Sequence, residues 1–577
     1  MPRVAIVGAG QAGTQLALGL LAAGCEVTLV SNRPPDELVA GPVLSSQCMF
    51  ETALQIERSL GLARWDAACP PVDGISFTVS DGAGGTAVSW AARLDAPAQS
   101  VDQRLKLSTW AGDFEQRGGR LLIHEAEVGD LERYAKGHDL VVVATGKGDL
   151  GRLFPRDPEK SPFDRPQRAL ALTYVNGMRP RPEFAAVCFN LIPGVGEYFV
   201  FPALTMGGSC EIMVFEGVPG GPMDCWEDVH SPAEHLARSL SILEEHLPWE
   251  AERCRGVELT DPNGVLTGRF APTVRHPVAV LPGGERVLGM ADAVVLNDPI
   301  TGQGSNNAAK CADIYLEAIL ERGDGPFDPV WMQETFNRYW RGYAQWVTGW
   351  TNALLAPPKP HVLELLEAAE ELPALAGTIA NGFDDPRAFY PWWFDGAEAR
   401  RLIDERRRQA EHDPFDRRDL RRALGQFATG VTVITTRAGD GRRVGLTANS
   451  FTSLSLDPPL VLWCLGKAAP SMSEFVECDH FAVNVLAADQ HHLSRQFSTP
   501  SIDKFDGIEV IDGVGGVPLL NGAIARFTCR HVRHHDGGDH VIFIGEVEQY
   551  EALEGEPLVF HSGFYRVATR HLEIDSA

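Results

Sequence analysis

The apolar runs that open the chain are short and broken by glycine. Val4-Ala5-Ile6-Val7 is a β-type run that halts at Gly8-Ala9-Gly10-Gln11-Ala12-Gly13. An apolar helical stretch with Leu16, Leu20 and Leu21 follows, and Glu26 to Val30 reads as a second strand. The alternation resumes where Val101-Asp102-Gln103-Arg104-Leu105 opens an amphipathic helix and Arg120 to Ile123 reads as a strand. Leu140-Val141-Val142-Val143 is apolar throughout, as a strand buried on both faces is, and stops at Ala144-Thr145-Gly146. Between about 165 and 275 the period changes to two, in runs such as Ala186 to Leu191 and Tyr198 to Phe201, which predicts an antiparallel sheet. The apolar run Val287 to Met290 ends at Asp292 and leads into Asp298-Pro299-Ile300-Thr301-Gly302-Gln303-Gly304-Ser305-Asn306, a polar loop ahead of an Ala-rich helix. Helical spacing holds from 308 to 410, where Trp331, Trp340, Trp346 and Trp350 read as core rather than as a cofactor box. Arg400 to Gln409 is so charged that it reads as a solvated helical connector. Beyond it lie short strands: Gly430 to Thr436, Leu460 to Trp463, Phe481 to Val485 and His540 to Ile544.

The expected fold class is therefore α/β plus β. A Rossmann-type cofactor part takes up 1–165 and 275–330, a substrate sheet 166–274, a helical part 331–410, and an independent β-barrel-like domain 411–577. In the first loop Gly8 permits a tight turn, Gly10 lets a pyrophosphate approach the backbone, and Gly13 lets helix and strand pack closely. The second strand ends at Ser31-Asn32-Arg33, without the acid that would bind a ribose. Arg33 fits either the 2′-phosphate of NADP or an adenine or pyrophosphate contact from FAD, and the loop at 298–306 favours FAD.

Bulk properties narrow the partners. The chain has 577 residues, 44% of them hydrophobic and 22% charged, enough for several cores. A formal charge of −26 argues against nucleic acid or an anionic membrane as partner. No signal-peptide pattern and no membrane-length apolar run is present, which points to a cytoplasmic protein. The 11 cysteines are scattered singly with no Cys-x-x-Cys pair, as in a reducing compartment. His531, His534, His535 and His540 lack ligand spacing, so no metal site is expected.

The first 410 residues resemble the flavin monooxygenases of the styrene and indole monooxygenase group, relatives of para-hydroxybenzoate hydroxylase. The resemblance rests on Gly8 to Gly13, Arg33-Pro34-Pro35-Asp36-Glu37, Val101 to Leu105, Ala144 to Lys147 and, above all, Asp298-Pro299-x-x-Gly302-Gln303-Gly304-x-Asn306. It implies FAD contacts at Gly8, Gly10, Gln11, Gly13, Arg33, Arg104, Asp292, Pro299, Gly302, Gln303, Gly304 and Asn306. In the wider hydroxylase class an Asp-Gly motif helps receive hydride from NAD(P)H; here the matching stretch is Thr145-Gly146-Lys147-Gly148, which implies a half that cannot reduce its own flavin.

Residues 415 to 577 resemble the short flavin reductases that partner such monooxygenases, with a split β-barrel fold. The matching motifs are Phe427 to Val431, Gly445-Leu446-Thr447-Ala448-Asn449-Ser450-Phe451, Asp457-Pro458-Pro459, Gly538-Asp539-His540 and Gly563-Phe564-Tyr565. The resemblance implies flavin contacts at Thr447, Ala448, Asn449 and Ser450 and NADH contacts at Asp539, His540 and Tyr565. Lys467 and Ser471 are candidates for a flavin phosphate by charge and placement. A homodimer through this domain is also implied.

Ser45, Gln47, Met49, Val72, Ile75 and Ala98 resemble the indole-type branch rather than the styrene type, and would form the substrate pocket. Ser45 and Gln47 can hydrogen-bond an indole N–H, and the other four make an apolar wall. The implied activity is hydride transfer from NADH to FAD, addition of O₂ at the flavin C4a carbon, and transfer of oxygen to indole or a styrene-like alkene. No side-chain acid or base is required for that transfer. A flavin reductase or NADH oxidase with an inactive large half, and a flavin-bound redox sensor, are the alternatives.

Overall fold

The computed structural model describes residues 1–146, 149–412, 417–467, 469–499 and 504–568. The chain divides into two compact units, Met1–His412 and Asp413–Ala577.

The first unit holds two sheets. Strands β1 (Arg3–Val7), β2 (Glu26–Ser31), β5 (Arg120–Ile123) and β6 (Leu140–Val143) belong to a six-stranded sheet ordered Val278–Val280, Arg286–Gly289, β6, β1, β2, β5. All neighbours run parallel except the Val278–Val280 pair. The right-handed β–helix–β crossover through Gln11–Ala22 buries Leu16 and Leu20 on this sheet. Gly19 lets Leu316 of the helix Gly304–Arg322 come so close that a Cβ there would lie 2.5 Å from its Cδ2.

The second sheet has eight strands. Strands β3 (Val72–Ser80) and β4 (Thr86–Ala98) join β7 (Ala169–Asn176), β8 (Ala186–Ile192), β9 (Gly196–Thr205) and β10 (Gly208–Gly217). The order is Glu258–Leu259, β7, β10, β9, β8, β3, β4, with Val265–Gly268 also paired to β7. Two expectations change here. Residues 72–98 belong to this sheet and not to the cofactor part, and β3 pairs β8 in parallel, so the sheet is mixed. Alternating burial at Val88, Trp90 and Ala92 of β4 is the signal that marks it as a half-buried strand.

Period-two alternation divides the side chains of β9 and β10 between two cores. Tyr198, Val200, Met213 and Phe215 pack under the helix Pro232–His246. Phe199, Phe201, Ile212 and Val214 face the helical layer that carries Trp350, Phe389 and Trp393. Trp350 is indeed core, 1% exposed and stacked on Phe389. The helix Gly396–His412 corrects the reading of a solvated connector, because Ala399 and Ile403, one turn apart, are buried in this second core.

The second unit is a seven-stranded antiparallel sheet ordered Arg443–Ala448, Thr432–Arg437, His480–Val485, Ala525–Gly537, His540–Ala552, Pro459–Gly466, Thr452–Leu456. Val444 near one edge and Val461 near the other share a core with Trp463, so the sheet curls round that side chain. Among the described residues its two edge strands are not paired, so it is an open curled sheet rather than a closed barrel. A three-stranded sheet, Thr429–Gly430, Leu558–His561 and Phe564–Val567, stands beside it.

Candidate functional site

The first glycine loop has the form of a phosphate cradle. Gly8 has φ +119°, and a Cβ there would lie 2.8 Å from the Ala144 carbonyl carbon; a Cβ on Gly13 would lie 1.9 Å from Gly8 O. Neither position admits a side chain. Gly10 has open space above it, and no side chain caps the helix Gln11–Ala22, so its first N–H groups are available to an anion. These features fit the pyrophosphate of a dinucleotide. Arg33, half-buried beyond the end of β2, lies on the same side of the sheet as the ends of β1 and β2. Asp292 is exposed beside Gly146, whose Cβ would lie 2.7 Å from the Asp292 Cβ. Lys147 and Gly148, expected to mark the missing hydride motif, fall outside the described residues.

Two residues expected at FAD, Arg104 and Gln11, have their side chains engaged by protein groups. Arg104 is 3% exposed and all five of its N–H donors meet protein acceptors: Asp102, Asp261 and the Gly41 carbonyl. It ties the helix Gln103–Gln116 to neighbouring segments. Gln11 donates to Glu57 Oε1 at 2.7 Å, and the Lys106 ammonium donates to the same carboxylate at 2.8 Å and to Met49 Sδ at 3.1 Å. Only the backbone of Gln11 faces the cradle.

The loop at 298–306 is built the same way, from a few open glycines and an inward-facing frame. Gly302, at φ +64°, and Gly304 are exposed with nothing above their missing Cβ atoms, so a flat ring edge can approach both. Gln303 is fully buried; it donates to Phe383 O at 2.8 Å and accepts from Tyr343 Oη at 2.9 Å. Asn306 donates to Cys48 O at 2.8 Å and accepts from Phe50 N at 2.9 Å. Gln303 and Asn306 are braces, and the loop presents Pro299, Gly302 and Gly304.

Against this loop lies a small apolar cavity. Pro299, Ile300, Thr301 and Gly302 form one side, and five phenylalanines, Phe50, Phe189, Phe199, Phe201 and Phe383, form most of the rest with Ser46, Cys48, Val187 and Val214. None of the six residues expected to form the pocket lines it. Ser46, Cys48 and Phe50 face the cavity, so the extended segment is out by one residue from the prediction, and alternation turns Ser45, Gln47 and Met49 away. Ser45 Oγ donates to Gln47 Oε1 at 3.2 Å, and Gln47 Nε2 donates to Tyr174 Oη at 3.4 Å. Val72, Ile75 and Ala98 are buried in the surrounding core.

In the second unit the predicted residues form two groups. Thr447 Oγ1 donates to Ser494 O at 2.6 Å, while Ser494 Oγ and Tyr565 Oη are 2.8 Å apart. Ala448 is buried and Asn449 exposed, and Ser450 Oγ fixes the Cys464 backbone with bonds of 2.9 and 3.2 Å. The second group sits at a hairpin end: Lys467 Nζ meets Asp536 at 2.7 and 2.8 Å, Lys467 N donates to Asp539 O, and His540 Nδ1 lies 2.8 Å from Asp539 Oδ1. Ser471 starts the short helix Met472–Glu477 without capping it through its side chain.

Residues 146–253 match the family described as "Styrene monooxygenase A putative substrate binding domain". The chain is similar to styrene monooxygenase StyA of Pseudomonas fluorescens, 31% identical over 396 residues that make up 67% of this chain and 93% of that protein. The chain belongs to the styrene monooxygenase family. This styrene monooxygenase-type chain carries a further domain, since residues 424–569 match the flavin reductase like domain family. That part is similar to the FMN reductase (NADH) SmoA of Agrobacterium fabrum, 46% identical over 148 residues, 26% of this chain and 84% of that protein. It is also 44% identical over 162 residues to an NADH-dependent FAD reductase of Streptomyces globisporus, 27% of this chain and 87% of that protein. A styrene monooxygenase-type half and a flavin reductase-type half are thus fused in one chain.

The sequence reading of this fused monooxygenase missed a buried acidic group beside the cavity. Glu216 of β10 and Glu197 of β9 are cross-strand partners, two residues along from Val214 and Phe199 on the cavity-facing side. Arg168 clasps Glu197 through Nε and Nη2 at 2.7 and 2.9 Å. Glu216, 0% exposed, reaches Asp298 at the head of the loop, and among the described residues neither of its oxygens receives a hydrogen bond from an N–H or O–H donor. Burial first, and then the neighbouring carboxylates, push the Glu216 carboxyl far up from its ordinary range and raise Asp298 to about 6. The sequence signal was a charged residue directly after the apolar run Ile212 to Phe215.

Proposed function

We propose that this chain is a self-sufficient flavin monooxygenase in which residues 413–577 reduce FAD with NADH and residues 1–412 use the reduced FAD and O₂ to oxygenate an aromatic substrate. The observation that carries the reading is the phenylalanine-lined cavity against the open glycines of the 299–304 loop. A flat aryl group is held there by apolar contact and ring–ring packing, beside the open faces of Gly302 and Gly304 that a ring edge can approach. When bound, reduced FAD supplies the activation of O₂. The protein's own residues shape the rest: Gln303 and Asn306 hold the loop, the phenylalanines exclude water, and the glycine cradle takes the pyrophosphate. The pairing of a mostly parallel sheet at the glycine cradle with a mixed sheet at the cavity supports this placement.

The substrate class we propose is indole and styrene-like aryl alkenes, with epoxidation of the 2,3-bond or the vinyl group and indole preferred. The side-chain types at 45, 47, 49, 72, 75 and 98 support indole only indirectly, through the walls they brace. NADH as donor is supported by the similarity to NADH-dependent flavin reductases. Apolar side chains exposed on the second unit, Phe427 at 78% and Phe564 at 63%, support a homodimer through that unit.

Incubating the purified chain with NADH, FAD and either indole or styrene tests the reading. Blue pigment from oxygenated indole, or styrene oxide, at a rate tied to NADH loss is the expected result. NADH loss matched only by H₂O₂ would replace this reading with that of an NADH oxidase, and negligible NADH loss with that of a sensor.

A further inference from the structure

The cluster Arg168, Glu197, Glu216 and Asp298 contains three carboxyl groups and one cation, and all four residues are buried. Arg168 is already engaged bidentately by Glu197. Leaving both Glu216 and Asp298 ionised would bury two like charges without a partner, a cost the interior does not sustain. Asp298 has one donor, the Ile300 N–H at 3.2 Å, whereas Glu216 has none. A contact between two carboxyl groups becomes a hydrogen bond only when a proton lies between them. Glu216 is therefore the protonated partner, donating to the Asp298 carboxylate.

The pair is also well placed. Asp298 immediately precedes Pro299, Ile300, Thr301 and Gly302, which form one side of the cavity, and Glu216 lies on the same strand face as the cavity residue Val214. A buried acid behind the wall can supply a proton at the cavity faster than solvent reaching it.

We propose that Glu216 and Asp298 share one proton at neutral pH and deliver it to the oxygen atom that leaves as water when the cavity substrate is oxygenated. This rests on the monooxygenase reading above, and its balance follows from that reading. One atom of O₂ enters the substrate. The other accepts the two electrons that NADH supplies as hydride and leaves as water, which takes two protons. One proton enters with the hydride, and the pair supplies the second. Solvent protons then recharge Asp298 between turnovers. Glu216 and Asp298 are proton-handling residues behind the cavity wall, with Arg168 and Glu197 as the other charged groups packed on them among the described residues.

The test uses the full chain and the near-isosteric variants Glu216→Gln and Asp298→Asn. In the flavin-free protein at pH 8, infrared difference spectra should show the carbonyl band of one protonated carboxylic acid, shifted in D₂O and lost in Glu216→Gln. A parent without this band, or a band that survives in Glu216→Gln, overturns the shared proton. With chemically reduced FAD, O₂ and indole, Glu216→Gln should slow oxygenation on the order of 100-fold, while NADH oxidation by the second unit stays unchanged. The loss should shrink as the pH falls, because solvent then replaces the missing acid. A full oxygenation rate in Glu216→Gln overturns delivery, and if that variant does not fold, the same readouts on Asp298→Asn decide. A parent that has the band but oxygenates neither indole nor styrene sinks the reading of the cavity and leaves the shared proton standing, so the two failures are distinguishable.

Discussion

Asn306 and Gln303 carry the loop's geometry through their side-chain hydrogen bonds, and they illustrate how motif residues act at this site. Their side chains reach into the protein: Asn306 satisfies Cys48 O and Phe50 N, two backbone groups of the segment that faces the cavity. Asn306→Ala leaves both buried groups unpaired, and each costs about 1–3 kcal/mol. Thermal melts should show a lower Tm for the oxygenase unit, and flavin titration a weaker affinity. The same segment yields a contrast between adjacent residues. Cys48→Phe fills the cavity and should suppress oxygenation while leaving NADH oxidation intact; Gln47→Leu, facing away, should affect oxygenation far less, as product chromatography can measure. The sequence pointed to the segment that lies at the cavity but not to which of its alternate residues line it. One position of register exchanges Ser45, Gln47 and Met49 for Ser46, Cys48 and Phe50, and no local signal fixes it because both sets are buried or half-buried.

At the scale of elements, the strand–glycine loop–helix unit at 3–22 was legible because Gly8 and Gly13 have one steric solution each. The β3–β4 hairpin was not, since its pairing with β8 lies about a hundred residues away in sequence and is set by tertiary contact. The charged helix Gly396–His412 was misread for a related reason. Two buried residues, Ala399 and Ile403, suffice to dock it, and they are hidden among arginines and glutamates. Ile403→Ala should lower the stability of the first unit by about 2–4 kcal/mol in denaturant unfolding. The acid pair at the end of β10 makes a pH prediction. Asp298 titrates at about 6 in the folded chain, above its ordinary value of 3.8. Folding is favoured by this group below its unfolded value, and that contribution is lost as pH rises through about 6. The Tm of the parent should therefore fall relative to that of Asp298→Asn across this window; a constant difference would contradict the buried, raised carboxyl.

For the molecule as a whole, each unit has its own core and its own set of candidate contacts: an apolar cavity and phosphate cradle in 1–412, and a curled sheet with the Thr447–Ser494–Tyr565 and Lys467–Asp536–Asp539–His540 groups in 413–577. The two halves were legible separately because their textures differ, one alternating helix with strand and the other a succession of short strands. The central claim is a division of labour, with hydride handled by the second unit and oxygen by the first. The most direct measurement compares the full chain with a fragment ending at His412, following NADH absorbance and oxygenated indole or styrene together. The account predicts that the fragment consumes no NADH yet forms product when given chemically reduced FAD and O₂. A fragment that continues to oxidise NADH, or one that binds FAD but makes no product from it, would contradict the account.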